Sequence, residues 1–394
     1  MNYENKINKT VQNIPPSGIR KFFDIASTIK DAISLGVGEP DFITPDYIRE
    51  AGIKSIKEGK TAYTSNQGEY ALRVAISDYL ETRFEVSYRP DTEIFITVGA
   101  SEAIDLSLRA IINPGEEVLL TDPGYVSYAP NITLVGGVPK PIKTIFENNF
   151  KLTPEALEKA ITKKTKAIIL SYPCNPTGAI MTKSELQVLI PIIKKHDLLV
   201  IADEIYAELT YSGIHTSVAS LEDMKNRTIY ISGFSKAFAM TGWRIGYVGA
   251  PKEIMDAMVK MHQYTIMSAP TVGQYAAIAA LEEGKKEEFI TVKKMRDSYN
   301  ERRVFVIDSF NRLGLTCNSA EGAFYAFPSV KSTDLTGDNF AERLLLTQKV
   351  AVVPGSGFGA EGLNYIRACY ATSMQNLKTA VQKVESFLYD LKRL

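Results

Sequence analysis

Short apolar runs alternate along this chain with stretches of helical periodicity, a pattern that predicts interleaved strands and helices. Thr228-Ile229-Tyr230-Ile231 is β-branched and aromatic and ends in the small residues Ser232 and Gly233. Beyond a loop holding Lys236 and Thr241-Gly242, a second apolar run extends from Ile245 to Val248. So short a connection suits an antiparallel return, with the end of one strand and the start of the next at a shared sheet edge. Upstream, Ala167-Ile168-Ile169-Leu170 is continuously apolar, as expected of a strand buried on both faces. A helix over about 182–195 then crosses to the apolar run Leu198–Ile201, giving a βαβ unit that leads on to the Lys236 strand.

The same reading extends to both ends. Residues 1–45 read as an irregular arm, with a turn forced at Pro15-Pro16-Ser17-Gly18 and a short glycine-broken strand from Ile33. Helices follow over about 45–58 and 69–83, then a strand over 93–98, where Gly99-Ala100-Ser101-Glu102 opens an amphipathic helix over 103–112. A strand over 117–120, further strands within 132–145, and a helix over 154–161 capped by Thr153 come next. From Pro251 the pattern is helical to about 281, breaking near Ser268-Ala269-Pro270, and again over about 287–313, where Gly314 stands in a C-cap position. Strands over 323–327, 350–353 and 365–371, a helix over 337–347, a flexible loop over 354–359 and a final helix over 373–391 complete the chain. The expected fold is α/β: a mostly parallel sheet sandwiched by helices in a large domain over 46–289, with a smaller α/β domain from the arm and 290–394.

Composition narrows the classes of function. The chain has 394 residues, and Lys+Arg and Asp+Glu are equal at 45 each with no long run of one sign, so nothing favours nucleic acid or a membrane surface. Cys174, Cys317 and Cys369 lie far apart without paired spacing, as in a reduced cytoplasmic protein, and the three histidines have no metal-ligand spacing. The N-terminal residues lack a signal-peptide core, and no apolar run reaches transmembrane length.

Chemistry-bearing residues recur at one kind of place. Gly99–Glu102, Tyr125, Asn175, Asp203 and Lys236 each fall just past the end of a predicted strand. In an open parallel sheet ligands bind outside those carboxyl ends, so an anion cradle, an aromatic ring, an amide, a carboxylate and an amine describe one pocket. Lys236 suits a Schiff base with a carbonyl cofactor and Arg244 a phosphate clamp, although such a pair alone reads more readily as solvated surface charges. Gly38, before Glu39-Pro40, marks either a close backbone approach or a plain turn. Arg367, among Ile366, Ala368 and Cys369, needs an anionic partner: a structural carboxylate or a substrate. Cys174 reads as a small buried filler, and nothing local distinguishes Tyr63.

Asn175-Pro176-Thr177-Gly178, Asp203-Glu204-Ile205-Tyr206 and the run from Ser235-Lys236 through Thr241-Gly242-Trp243-Arg244 to Gly246, in that order, make the chain resemble class I/II aminotransferases, pyridoxal-phosphate enzymes of fold type I. The resemblance runs from about Ser17 to about Leu388. Ser17–Phe22 and Met261-His262-Gln263-Tyr264 are most similar to bacterial aromatic-amino-acid and acetyl-diaminopimelate aminotransferases. It implies that Lys236 holds pyridoxal 5′-phosphate and moves the substrate proton, and that Asp203 pairs with the pyridine nitrogen. It further implies Asn175 and Tyr206 at the ring oxygen and Tyr125 on the ring face. The backbone of Ala100, Ser101 and Glu102, with Ser235 and Arg244, would hold the phosphate. Arg367 would take the substrate α-carboxylate, helped by Gly38 and Asn175. Tyr63 would reach the neighbouring subunit's phosphate, which implies a homodimer with shared sites.

The implied reaction is ping-pong transfer of an amino group from an L-amino acid to a 2-oxo acid such as 2-oxoglutarate. Aspartate enzymes of the most similar subgroup can carry a lysine where this chain has Ser101, and another subgroup supplies an arginine where residues 251–295 here have none. Aromatic or broad neutral donors therefore fit better, although Arg20 or Lys21 could serve a distal carboxylate. The alternatives are an aspartate or acetyl-diaminopimelate aminotransferase, a carbon–sulfur β-lyase, and a non-enzymatic ligand sensor.

Overall fold

The computed structural model describes residues 3–16 and 29–393. Seven strands form the main sheet: β2 (Ile94–Val98), β3 (Glu117–Asp122), β4 (Val138–Lys143), β5 (Thr165–Leu170), β6 (Leu199–Asp203), β7 (Thr228–Gly233) and β8 (Ile245–Gly249). Their order is β2-β8-β7-β6-β5-β3-β4. The pairs from β7 to β4 are parallel, while β8 runs antiparallel to both β7 and β2, the return predicted from the short Lys236 connection. Side chains alternate between the two faces, as the pleat requires. Ala167, Ile169 and Ile201 pack on one side with the helices Gly99–Ile111 and Lys252–Thr265. Ile168, Leu170, Val200 and Ala202 pack on the other. Burial on both faces explains why these strands are continuously apolar.

A separate apolar cluster gathers the helices Ile290–Arg312, Gly337–Gln348 and Met374–Leu391 around three short strands. These are β9 (Tyr325–Ala326), β11 (Val353–Pro354) and β12 (Ile366–Cys369), in the antiparallel order β11-β12-β9. The N-terminal segment joins through β1 (Ile33–Ser34), parallel to β10 (Val350–Ala351).

Several expectations are corrected. Within 132–145 only β4 is a strand; Tyr128–Leu134 is a helix that buries Tyr128 and Ile132, four residues apart on one face. A short apolar run looks alike in the two conformations. The helix over 182–195 is two, Lys183–Gln187 and Ile190–Lys195, because Pro191 has no N–H to continue the ladder. The helix expected from 103 begins at Gly99. Residues 354–359 are not a loose loop: Gly355–Phe358 is a turn of 3-10 helix with Gly355 and Phe358 buried. The strand over 350–353 divides between two sheets, and 323–327 and 365–371 shorten to β9 and β12. The arm holds a short helix, Lys9–Asn13, capped by the Asn8 side chain. Its turn at Ser17-Gly18, together with Arg20 and Lys21, lies outside the described residues.

Candidate active site

Parallel order from β3 to β7 brings four carboxyl ends to one edge, and a cavity of about 540 Å³ opens there. β6 ends at Asp203, which is 5% exposed. Its Oδ2 accepts a hydrogen bond from the Tyr128 hydroxyl at 2.6 Å and its Oδ1 one from the Ile205 N–H at 3.3 Å. Burial pushes the carboxyl pKa up, and the two donors pull against that rise.

Lys236 lies in the loop after β7. Its Nζ donates to the Gly38 carbonyl at 2.6 Å and sits near the rings of Tyr206 and Phe324, at 5.8 and 5.6 Å from their centroids. Burial lowers its pKa from 10.5 to about 8, so near neutrality the amine is far closer to its nucleophilic form than an exposed lysine.

Beside it, the cis-proline loop between β5 and residue 179 carries Asn175. The loop is fixed by the Gly178 N–H on the Cys174 carbonyl at 2.8 Å and by Asn318 Nδ2 on the Thr177 carbonyl at 3.0 Å. Asn175 Oδ1 accepts from Arg367 Nη1 at 2.9 Å, and Arg367 Nη2 donates to the Gly36 carbonyl at 2.5 Å. Arg367 is 3% exposed, its guanidinium lies over the Tyr325 ring at 4.4 Å, and its Nε has no hydrogen-bond partner. Among the described residues its hydrogen bonds go to an amide and a backbone carbonyl and not to a carboxylate, so of the two partners open in the sequence the structural carboxylate is the one missing. Cys174 is buried and its thiol pKa is pushed up by burial, which makes it a packed neutral side chain.

At the opposite end the helix Gly99–Ile111 points its N-terminus into the cavity. Gly99 has φ +71°, and a Cβ there would stand 2.6 Å from Arg244 Nη2; a Cβ on Gly246 would stand 2.6 Å from the Ala100 nitrogen. Backbone and guanidinium thus converge where bulk is excluded, and free N–H groups at a helix start favour an anion. Ser101 and Ser235 line the same end. The Glu102 side chain turns away: Oε2 accepts from the Val98 N–H at 2.5 Å and Oε1 lies 2.6 Å from Nδ1 of the buried His262. Only its backbone remains for an anion. Tyr125 and Tyr206 line the cavity, whereas Tyr63 is 80% exposed and is not among the residues lining it.

Two lining residues, Tyr128 and Tyr325, were missed from the sequence. Tyr325 falls in a predicted strand with no polar signal. Tyr128 follows Tyr125 by three residues, a spacing that would have revealed it had the segment been read as a helix start.

A buried lysine of lowered pKa, a buried carboxylate opposite it and an anion cradle beyond define an α/β enzyme built for a phosphorylated carbonyl cofactor. The model of the family described as aminotransferase class I and II matches residues 30–384. The chain belongs to that family, whose members depend on pyridoxal 5′-phosphate and transfer amino groups. It is 52% identical over 379 residues to the protein YugH of Bacillus subtilis (strain 168), covering 96% of this chain and 97% of the other. It is 44% identical over 380 residues to an aspartate aminotransferase of Pyrococcus abyssi (strain GE5 / Orsay), covering 96% and 97%. The crystal structure of an aromatic aminotransferase from Pyrococcus horikoshii OT3 superposes with a TM-score of 0.90 at 41% identity, covering 95% and 100%. The donor set suits the cofactor: an anion cradle at one end, a buried carboxylate for a ring nitrogen and an amine for the aldehyde. Among the described residues no helix is long and apolar enough to cross a membrane.

Proposed function

We propose that this aminotransferase works on L-amino acids with aromatic or other neutral side chains, passing the amino group to a 2-oxo acid such as 2-oxoglutarate in two half-reactions. The observation that carries this reading is the charge of the cavity lining. Among the described residues it holds three cations, Lys236, Arg244 and Arg367, against Asp203 and Glu39. Phosphate, cofactor carbonyl and α-carboxylate take up all three, so no described cation remains for a distal carboxylate on the donor.

When bound, pyridoxal phosphate supplies an aldehyde that takes up the amino group and a ring that draws electrons from the reacting carbon. Arg244, Ser235 and the backbone of Ala100, Ser101 and Glu102 would hold the phosphate. Asp203 would keep a proton on the ring nitrogen, Asn175 and Tyr206 would bond the ring oxygen, and Tyr125 would cover the ring face. Arg367, with its unpartnered Nε, takes the α-carboxylate, and Asn175 and Gly38 complete its seat. Lys236 would hold the cofactor carbonyl until the substrate's amino group displaces it. Its freed neutral amine would then take the proton from the substrate α-carbon and return it to the cofactor carbon. Tyr63 belongs to a neighbouring copy's site in a cytoplasmic homodimer, which accounts for its exposure in a single chain.

A visible-absorbance titration of the holoenzyme with L-phenylalanine, then 2-oxoglutarate, tests the reading. Reversible conversion to the aminated cofactor and back supports it. Response to L-aspartate or N-acetyl-diaminopimelate but not L-phenylalanine sinks the donor assignment. Pyruvate released from cystathionine without an acceptor would make the chain a lyase. Native mass measurement tests the homodimer.

A further inference from the structure

The turn that follows β3 carries two tyrosines with linked positions. Tyr125 lines the cavity, and Tyr128, 2% exposed, stands edge-on to it with ring centroids 5.4 Å apart and planes at 79°. The Tyr128 N–H donates to the Tyr125 carbonyl at 3.2 Å, closing the turn from which the helix Tyr128–Leu134 starts. The Tyr128 hydroxyl reaches from this turn to the end of β6 and donates to Asp203 Oδ2 at 2.6 Å, within the short range of bonds to ionised acceptors. With Oδ1 held by the Ile205 N–H, the carboxylate has a donor on each oxygen. A carboxylate turns readily about its last torsion when nothing holds it. Here it is fixed in plane, in a wall of the cavity.

We propose that Tyr128 is a positioning residue for the cofactor: its hydroxyl fixes the Asp203 carboxylate toward the ring nitrogen, and the turn it closes sets Tyr125 over the ring face. One aromatic residue thereby couples the two contacts that orient the ring. The proposal rests on the reading that Asp203 and Tyr125 meet that ring.

Tyr128→Phe keeps the ring, the edge contact and the turn while removing the hydroxyl. The test measures the dissociation constant for pyridoxal phosphate, by equilibrium dialysis, of wild type, Tyr128→Phe, Asp203→Ala and the double variant. Melting temperatures of the cofactor-free proteins check that each is folded. Loss of one hydrogen bond to a charged group predicts about tenfold weaker binding for Tyr128→Phe and no further weakening when it is added to Asp203→Ala. Wild-type affinity in Tyr128→Phe overturns the proposal, as does an equal loss in both backgrounds, which would make Tyr128 mere packing. Wild-type affinity in Asp203→Ala would instead overturn the placement of Asp203 at the ring.

Discussion

The hydroxyls of Tyr206 and Tyr325 lie 2.8 Å apart, both buried. Tyr206 follows β6 and Tyr325 stands in β9, so the bond ties the main sheet to the sheet that carries Arg367. The ring of Tyr325 lies under the Arg367 guanidinium, and its hydroxyl occupies the space a Gly38 Cβ would need, 2.3 Å away. Tyr206 and Arg367, the residues proposed for the cofactor oxygen and the substrate carboxylate, therefore share one support.

Tyr325→Phe separates the two halves of that support. Removing the hydroxyl strands Tyr206 at a cost of about 1 kcal/mol, so single-turnover rates should fall about fivefold while amino-acid affinity, which depends on the ring beneath Arg367, stays near wild type. Tyr325→Ala should lose both. Equal effects of the two variants on affinity, read by absorbance titration, would mean that the ring does not support the arginine.

Lys236 titrates near 8 because burial disfavours its charged form. The neutral fraction, which attacks a carbonyl, grows as pH rises through that value. Covalent uptake of pyridoxal phosphate by the cofactor-free protein should thus accelerate from pH 7 and level off above about pH 9, followed by stopped-flow absorbance. A rise that continues to pH 10 and beyond would mean a solvated lysine. Lys236→Ala should show no covalent uptake and no multiple turnover.

Arg367→Ala should weaken amino-acid binding by about 3 kcal/mol, roughly two orders of magnitude, since it strips a buried cation from its anionic ligand. Arg367→Lys should recover only part of that loss, because an ammonium cannot reproduce the planar fork that reaches Asn175 and Gly36 together. Titration of each variant with L-phenylalanine reads the difference. Unchanged affinity in the alanine variant would assign the arginine to structure alone.

What was legible in the sequence follows from which signals are local. Asp203, Asn175 and Lys236 each trail an apolar run that reads as a buried strand, and parallel pairing sends those ends to one edge. Arg367 announced itself as a charge inside an apolar strand. Tyr128 did not, because it falls between the strands expected over 117–120 and within 132–145, and its partner, Asp203, is 75 residues away. Glu102 lost its side chain to a bond with His262, a pairing across 160 residues that no spacing rule contains. Tyr63 was singled out only by resemblance, and it stays outside the cavity of a single chain.

The proposed phosphate cradle depends on a residue with no side chain. Gly99 begins its helix at φ +71°, a region costly to any residue with a Cβ, and an added methyl would press on Arg244 Nη2. Gly99→Ala should displace both the guanidinium and the first N–H groups of the helix, weakening pyridoxal phosphate binding at least tenfold, about 1.4 kcal/mol or more. Pyridoxal without its phosphate makes neither contact, so its weaker affinity should be the same in variant and wild type. Dialysis against each compound separates the outcomes: equal losses for both would show that the alanine disturbs the ring end or the fold, and the cradle would lie elsewhere.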